Sequence, residues 1–149
     1  LGKAAGVSRA LIAGPEVVLD ALIPNARSYL YTTAMPPLLS YTLLKSIELI
    51  RREGWRRRKI TRLTEYLKNN LKFLRWTLLP SDMPIQPVII GGSREVMQVS
   101  YELQNRGILV PAIRPPTVPK SSARLRISLS AAHSIKDVER LVTALRELE

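Results

Sequence analysis

The feature that most constrains the fold of this chain is a change in the spacing of its apolar residues. Over residues 38–74 apolar side chains recur every three or four positions, as in an amphipathic helix, with Gly54 as the expected interruption. Over residues 124–130 they alternate: Leu125, Ile127 and Leu129 fall on one side and polar residues on the other. Helices must therefore pack against a sheet, and we predict an α+β fold with a small, largely antiparallel sheet.

Turn and capping signals predict the remaining elements. Gly107 supplies the left-handed position that ends a helix, and Ser93 is the expected N-cap of that helix. Ser134 and Asp137 resemble a capping box before the last helix. The predicted order is a strand over 7–13, a helix over 16–23, a connecting segment over 27–35, helical residues over 38–74, a strand over 85–90, a helix over 93–104, strands from 108 and over 124–130, and a helix from 135.

Pro36 and Pro37 mark the expected boundary between two structural units. Residues 38–149 have amphipathic helices and an alternating strand of their own, so we predict that they form a small domain. Residues 1–37 hold one predicted strand and one predicted helix, which cannot bury their apolar faces alone. The first segment is therefore expected to depend on structure outside itself.

The composition excludes several classes of site. No apolar run approaches the roughly 20 residues that cross a bilayer, so we expect no transmembrane helix. The absence of cysteine rules out disulfides and thiolate metal sites, and it fits a cytoplasmic protein. His133 is the only histidine, so we expect no metal site. Because it directly precedes a predicted helix cap, a surface or capping role is favoured over a catalytic one.

The net charge of +11 is concentrated in one place, since seven basic residues lie between Arg51 and Arg62. The favoured interpretation is a solvated helix face. A nucleic-acid-binding protein would use such a cluster to displace phosphate counterions, but it would also interleave aromatic residues, and only Trp55 fits. Attraction of an anionic acyl-CoA is a third interpretation, and the sequence does not separate it from the first.

Lys3 stands in the setting Gly-Lys-Ala-Ala-Gly. A lysine amine that loses its proton near neutral pH can attack a carbonyl and form a Schiff base. Gly2 and Gly6 would let the backbone pass close to a flat ligand. By itself, the pattern still favours an ordinary exposed lysine.

Three further groups of residues have chemistry suited to binding. Thr32 and Thr33 precede two prolines, and their hydroxyls suit either a phosphate or ordinary turn structure. Arg126 lies on the polar side of the predicted strand, where its guanidinium could bind a carboxylate in a bidentate manner, whereas Arg124 on that side suits solvent. A proline-stiffened loop, Arg-Pro-Pro-Thr-Val-Pro over residues 114–119, carries Arg114 and Thr117.

Taken together, these motifs resemble the C-terminal part of the α-oxoamine synthases, a family of fold-type I pyridoxal-phosphate enzymes. The resemblance rests on the lysine motif, on Tyr-Thr-Thr-Ala-Met-Pro-Pro over residues 31–37, and on residues 112–119, 123–126 and 130–133. It implies that residues 1–37 are a remnant of the large cofactor-binding domain. It also implies that Lys3 carries pyridoxal 5'-phosphate covalently and acts as the proton-transfer base. Thr33, or else Thr32, is expected to reach the cofactor phosphate of the other subunit of a homodimer.

The same resemblance assigns the substrates. Arg126 is expected to bind the amino-acid carboxylate, Thr117 to contact substrate, and Arg114 to bind the terminal carboxylate of the acyl chain. The Arg-Pro-Pro tract favours the member of the family that acts in biotin biosynthesis, which implies L-alanine and a pimeloyl thioester of coenzyme A or acyl carrier protein. Another α-oxoamine synthase, using glycine or serine, is the alternative, and a nucleic-acid-binding domain is disfavoured.

The chain also departs from the family pattern. Arg9 stands where a small residue is expected, and the segment around Gly54 is shorter than usual. The residues that complete the cofactor site in the family would lie upstream of Leu1, so the chain corresponds to a C-terminal fragment. We expect these 149 residues alone to be inactive.

Overall fold

The computed structural model describes residues 1–8 and 10–149. They divide into two compact units, Leu1–Gly54 and Trp55–Glu149. The predicted boundary at Pro36 and Pro37 lies inside the first unit and stays a prediction. The unusual Arg9 lies outside the described residues. No helix among the described residues is long and apolar enough to cross a membrane.

The described residues of the first unit form three helices: α1 (Glu16–Asn25), α2 (Arg27–Leu30) and α3 (Pro37–Arg52). The strand predicted over residues 7–13 is wrong, since the described residues of that segment are irregular. A strand needs a neighbour to receive its backbone hydrogen bonds. Just before this segment the chain forms a tight turn, in which Gly6 N donates to Lys3 O at 3.0 Å and Val7 N donates to Leu1 O at 3.4 Å.

Prolines had suggested different helix limits in this unit. Helix α1 includes Pro24 and extends to Asn25, beyond its predicted end at residue 23, because the last turn closes by other bonds. Ala26 N donates to Leu22 O at 2.7 Å, and the side-chain amide of Asn25 donates from Nδ2 to Ala21 O at 2.8 Å. Helix α2 occupies part of the predicted connection. Helix α3 starts at Pro37, since proline suits the first helical position.

The second unit is built from helices and a four-stranded sheet. Its elements are α4 (Gly54–Leu71), β1 (Thr77–Leu78), β2 (Ile85–Gly91), α5 (Ser93–Asn105), β3 (Ala112–Ile113), β4 (Ala123–Ser128) and α6 (Ile135–Glu147). The strand order is β1-β2-β4-β3, and every neighbouring pair is antiparallel. This confirms the predicted α+β class with an antiparallel sheet. The break between α3 and α4 lies at Glu53, one residue before the predicted interruption at Gly54, which is the first residue of α4.

The core lies on one face of this sheet. Val88 of β2 stands opposite Leu125 of β4, and both side chains are buried. Helix α5 packs on β2, β3 and β4, and α6 contacts α5. The helices contribute buried apolar side chains at helical spacing: Leu63, Leu67 and Leu71 from α4, Val96, Val99 and Leu103 from α5, and Val138, Leu141, Val142 and Leu145 from α6. The other sheet face therefore carries the alternate residues of each strand.

One strand prediction and one cap prediction need correction, and one short strand was not predicted. The strand expected from residue 108 is instead β3, Ala112–Ile113, because Val110 is buried with its carbonyl bonded by Ser100 Oγ at 2.6 Å. Strand β1 was not predicted, since two residues show no period. Ser93 is the first helical residue and makes no capping bond, and Gly92 occupies the N-cap. Gly107, with φ of +74°, ends α5 as predicted.

The capping box of α6 is confirmed and yields a stability prediction. Asp137 N donates to Ser134 Oγ at 3.3 Å, and Ser134 N donates to Asp137 Oδ2 at 2.7 Å. Ser134→Ala should lower the free energy of unfolding by about 1 kcal/mol. Ser93→Ala is the matched control, because that serine caps nothing. Chemical denaturation of both variants tests this, and equal losses would contradict the cap.

The same box predicts a pH dependence. Hydrogen bonds from the Ser134 backbone and then its hydroxyl hold the pKa of Asp137 below its ordinary value of 3.8. The stabilisation from this carboxylate is therefore complete above the ordinary value and disappears as the pH falls through the lowered pKa. The Ser134→Ala chain should lose less stability than the wild type over that acid range. Parallel acid-unfolding curves would count against the assignment.

Candidate active site

Lys3 is exposed at the first position of a tight turn. The turn closes through the bond from Gly6 N to Lys3 O, and Gly6 has φ of +66°, a conformation that favours glycine. Ala5 and Val7 are buried on either side of that glycine. A side-chain carbon placed on Gly2 or Gly6 would meet nothing within 4 Å. Lys3 is therefore an exposed residue on a turn whose neighbouring side chains, Ala5 and Val7, are buried.

The two candidate threonines differ in the use of their hydroxyls. Thr32 Oγ1 donates to Ser28 O at 2.7 Å, so its single proton is engaged. Within residues 1–8 and 10–149, the Thr33 hydroxyl has no hydrogen bond, and the residue is exposed. A phosphate oxygen needs a donor, and Thr33 is the threonine that can supply one without breaking an existing bond.

The loop over residues 114–122, named here the β3–β4 loop, brings Arg114 and Thr117 together. Thr117 N donates to Arg114 O at 3.1 Å, so the two residues stand at opposite ends of one turn. Both are exposed. Three prolines in this loop limit its backbone freedom. The sequence thereby places a cation and a hydroxyl on one stiff turn at the edge of the sheet.

Arg126 and Arg124 lie on the sheet face away from the core, but their surroundings differ. The Arg126 side chain is exposed, and it makes no hydrogen bond or ion pair with the part of the chain that the structure describes. Arg124 is half-buried and donates to Ser122 from Nε at 3.0 Å and from Nη2 at 3.2 Å. Arg126 is thus the arginine of this pair whose fork is available to a carboxylate.

The predicted site residues fall into two groups. Lys3, Thr32 and Thr33 belong to Leu1–Gly54, and Arg114, Thr117 and Arg126 belong to Trp55–Glu149. No hydrogen bond among the described residues joins Lys3 to either threonine. In the second group, Arg126 N donates to Pro111 O at 2.9 Å, and Arg114 lies three residues beyond that proline. About 10 Å of extended chain thus separates the two arginine positions.

Sequence reasoning missed the role of Ser122 and treated Arg124 as solvent-facing. The available signal was the arginine pair on one side of an alternating strand, with a serine two residues before the first arginine. That signal is weak, because the contact between the two side chains depends on how the β3–β4 loop returns to the sheet. Ser122 Oγ also donates to Pro119 O at 2.7 Å, which closes the base of the loop.

The basic cluster lies at the end of α3 and on the first turns of α4. Arg58 and Arg62 are exposed on successive turns of α4, while Lys59 Nζ donates to Ala131 O at 2.7 Å. The Arg56 guanidinium lies 4.9 Å from the centre of the half-exposed Trp55 ring. A single aromatic residue does not form the stacking surface of a single-strand-binding protein. The solvated helix face remains the favoured interpretation.

His133 closes a turn between β4 and α6. Its Nδ1 accepts a hydrogen bond from Ser130 N at 3.2 Å, and the backbone N–H of His133 donates to Ser130 O at 3.1 Å. Both contacts are local. They support the predicted surface or capping role of this residue.

Comparisons with known proteins agree on one family. The sequence profile of the family described as Aminotransferase class I and II matches residues 1–145. The 8-amino-7-oxononanoate synthase of Nitrosospira multiformis is 57% identical over 149 residues, which are 100% of this chain and 38% of that protein. The synthase of the same name from Nitrosomonas europaea is 55% identical over 148 residues, covering 99% of this chain and 38% of the relative. The chain therefore spans 38% of the length of these curated relatives.

A solved structure supports the fold. The crystal structure of 8-amino-7-oxononanoate synthase from Francisella tularensis superposes with a TM-score of 0.85 at 22% identity. The match covers 98% of this chain and 43% of that one. At this identity the likeness concerns the path of the backbone alone.

Proposed function

Because the chain belongs to the aminotransferase class I and II family, whose members use pyridoxal phosphate, we propose that the full-length protein is a pyridoxal-phosphate-dependent acyltransferase. It condenses L-alanine with a pimeloyl thioester, releases carbon dioxide and yields 8-amino-7-oxononanoate for biotin biosynthesis. The observation that carries this proposal is the 57% identity, over the whole chain, to a relative named for that product. The thioester carrier is either coenzyme A or acyl carrier protein.

Lys3 is the residue to which the cofactor attaches in this proposal. Its amine is exposed on an anchored turn, and a lysine is the side chain that bonds reversibly to an aldehyde. When bound, pyridoxal phosphate supplies an electron sink for negative charge at the amino-acid α-carbon. The Lys3 amine, once released, moves the proton at that carbon. Thr33 donates its free hydroxyl to the cofactor phosphate of the partner subunit in a homodimer.

The second group of residues recognises the substrates. Arg126 binds the carboxylate of L-alanine through its exposed fork, and this orients the amino acid. Arg114 binds the terminal carboxylate of the pimeloyl chain, and Thr117 contacts the substrate beside it. The prolines of the β3–β4 loop reduce the entropy lost when the acyl chain is held.

The architecture of the full-length enzyme follows the same proposal. Residues 1–37 belong to a large cofactor-binding domain and its connection, and residues 38–149 form the small C-terminal domain. The enzyme acts in the cytoplasm. It is a homodimer in this proposal, in which Thr33 of one subunit donates to the cofactor phosphate of the other. Neither a nucleic acid nor a membrane is a partner.

Substrate competition in the full-length protein tests the proposed reaction. L-alanine, glycine and L-serine are each supplied with pimeloyl-CoA, and carbon dioxide release is measured. We expect L-alanine to give the highest kcat/KM. A clear preference for glycine or serine would assign the protein to another α-oxoamine synthase. An acyl thioester of equal chain length without the terminal carboxylate is the control, and it should react more slowly because it leaves Arg114 without a partner.

A further inference from the structure

Arg124 ties the base of the β3–β4 loop to the sheet. Its Nε donates to Ser122 O at 3.0 Å and its Nη2 donates to Ser122 Oγ at 3.2 Å. The same Ser122 hydroxyl donates to Pro119 O at 2.7 Å. One planar guanidinium therefore holds both the backbone and the side chain of the last residue of the loop.

The anchor itself is fixed by the sheet. Arg124 stands directly opposite Ile89 of β2 and Ile113 of β3, so branched apolar residues flank it on both sides. Next to it along the chain, Leu125 is completely buried. Arg124 thus lies in the central pair of strands, whereas most residues of the loop that it contacts are exposed.

The loop residue beside Ser122 shows that this end of the loop is under constraint. Ser121 has φ of +60°, in the left-handed region that residues with a side chain seldom adopt. Such a conformation persists where surrounding contacts determine the backbone. The backbone bond from Ser122 N to Pro119 O at 3.3 Å closes the turn that contains Ser121, and the side-chain bonds of Ser122 with Arg124 and Pro119 hold the end of that turn.

We propose that Arg124 is a positioning residue that sets the distance between the two carboxylate sites by holding the β3–β4 loop against the sheet. This rests on the proposed function, in which Arg126 binds the amino acid and Arg114 binds the far end of the acyl chain. Arg124 lies between them, since it pairs with Ile113, the residue before Arg114, and is two residues from Arg126. By holding the loop in place, Arg124 fixes the position of Arg114 and therefore the length of acyl chain whose terminal carboxylate can reach it. Arg124 is thereby a determinant of chain-length specificity.

Tryptic cleavage of the loop tests the tie without reference to catalysis. Lys120–Ser121 is the susceptible bond in the loop, because Arg114 is followed by proline. Arg124→Gln should increase the rate of cleavage at that bond about tenfold, as local opening becomes easier. Arg124→Lys keeps the charge but not the planar fork, and should give a smaller increase. Ser122→Ala should also give a smaller increase than Arg124→Gln, since the bond from Arg124 Nε to the Ser122 carbonyl remains.

Arg94→Gln is the matched control, since Arg94 is an exposed arginine at the start of α5 and belongs to neither site. Its cleavage rate at Lys120–Ser121 should equal that of the wild type. An unchanged rate of cleavage at Lys120–Ser121 in folded Arg124→Lys and Arg124→Gln chains would show that Arg124 does not hold the loop. Circular dichroism identifies a variant that fails to fold, and in that case Ser122→Ala provides the comparison.

Steady-state kinetics of the full-length protein test the consequence for specificity. Arg124→Lys should raise the KM for pimeloyl-CoA about tenfold while leaving the binding of L-alanine unchanged. It should also reduce the preference for pimeloyl-CoA over adipoyl-CoA, whose chain is one methylene shorter. A general loss of structure would not change that preference selectively.

The outcomes separate the two proposals. Weakened L-alanine binding with an unchanged acyl preference would make Arg124 a carboxylate ligand and overturn the positioning role. An unchanged acyl preference with unchanged L-alanine binding would also overturn it. If the wild-type protein transfers no acyl group but loop cleavage still depends on Arg124, the proposed function fails and the tie remains.

Discussion

The Lys3→Ala variant of the full-length protein is expected to lose all measurable acyl transfer. Alanine has no amine, so it can neither bind the cofactor covalently nor move the proton at the amino-acid α-carbon. The visible absorption of the lysine-bound cofactor should disappear, and borohydride should no longer fix the cofactor to the chain. Because Lys3 is exposed and its turn closes through backbone atoms, secondary structure should be unchanged.

Lys136→Ala is the matched control for this variant. Lys136 is an exposed lysine in the first turn of α6, and its removal leaves the Ser134–Asp137 box in place. Turnover and absorption of that variant should match the wild type. A Lys3→Ala enzyme that still showed a borohydride-reducible linkage and normal turnover would disprove the pyridoxal-phosphate assignment of this lysine.

The Arg126→Ala variant is expected to keep the cofactor but bind L-alanine more weakly. Removal of one charge-assisted contact costs about 1.5–3 kcal/mol, which corresponds to roughly a ten- to hundredfold increase in Kd. Arg126→Lys should recover part of this loss, because an ammonium group keeps the charge but not the two parallel donors. Spectroscopic titration of the cofactor with L-alanine measures both variants.

Arg94→Ala controls for the loss of one positive charge elsewhere on the second unit. It should leave the Kd for L-alanine within experimental error of the wild type. An increased KM for pimeloyl-CoA with an unchanged Kd for L-alanine in the Arg126→Ala variant would contradict the proposed role of Arg126. That pattern would place Arg126 at the acyl chain and leave the amino-acid carboxylate without its proposed ligand.

Local signals in the sequence predicted much of the second unit. The alternation over residues 124–130 anticipated β4, with Leu125 and Ile127 buried and Arg126 exposed. The capping box at Ser134 and the helix end at Gly107 were also anticipated, and the break expected at Gly54 lies one residue earlier, at Glu53. These features depend on residues within a few positions of one another, so the sequence carries enough information to specify them.

Features that depend on distant partners were not predicted. Strand β3 occupies Ala112–Ile113 because those residues face Leu125 and Arg124, and no pattern near residue 112 indicates that register. The segment over residues 7–13 has the composition of a strand, but its described residues pair with no strand of the sheet. Strand formation requires hydrogen bonds to another segment, and composition alone does not supply them.

The candidate site shows the same division. The sequence by itself determined which side chains have the required chemistry: an amine at Lys3, hydroxyls at Thr32 and Thr33, and guanidinium groups at Arg114, Arg124 and Arg126. Only the tertiary structure decided which of them are available. Thr32 and Arg124 are hydrogen-bonded to Ser28 and Ser122, whereas the side chains of Thr33 and Arg126 make no hydrogen bond with the described part of the chain. Residue type fixes what a group can bind, but the folded positions of its neighbours determine whether its donors are already used.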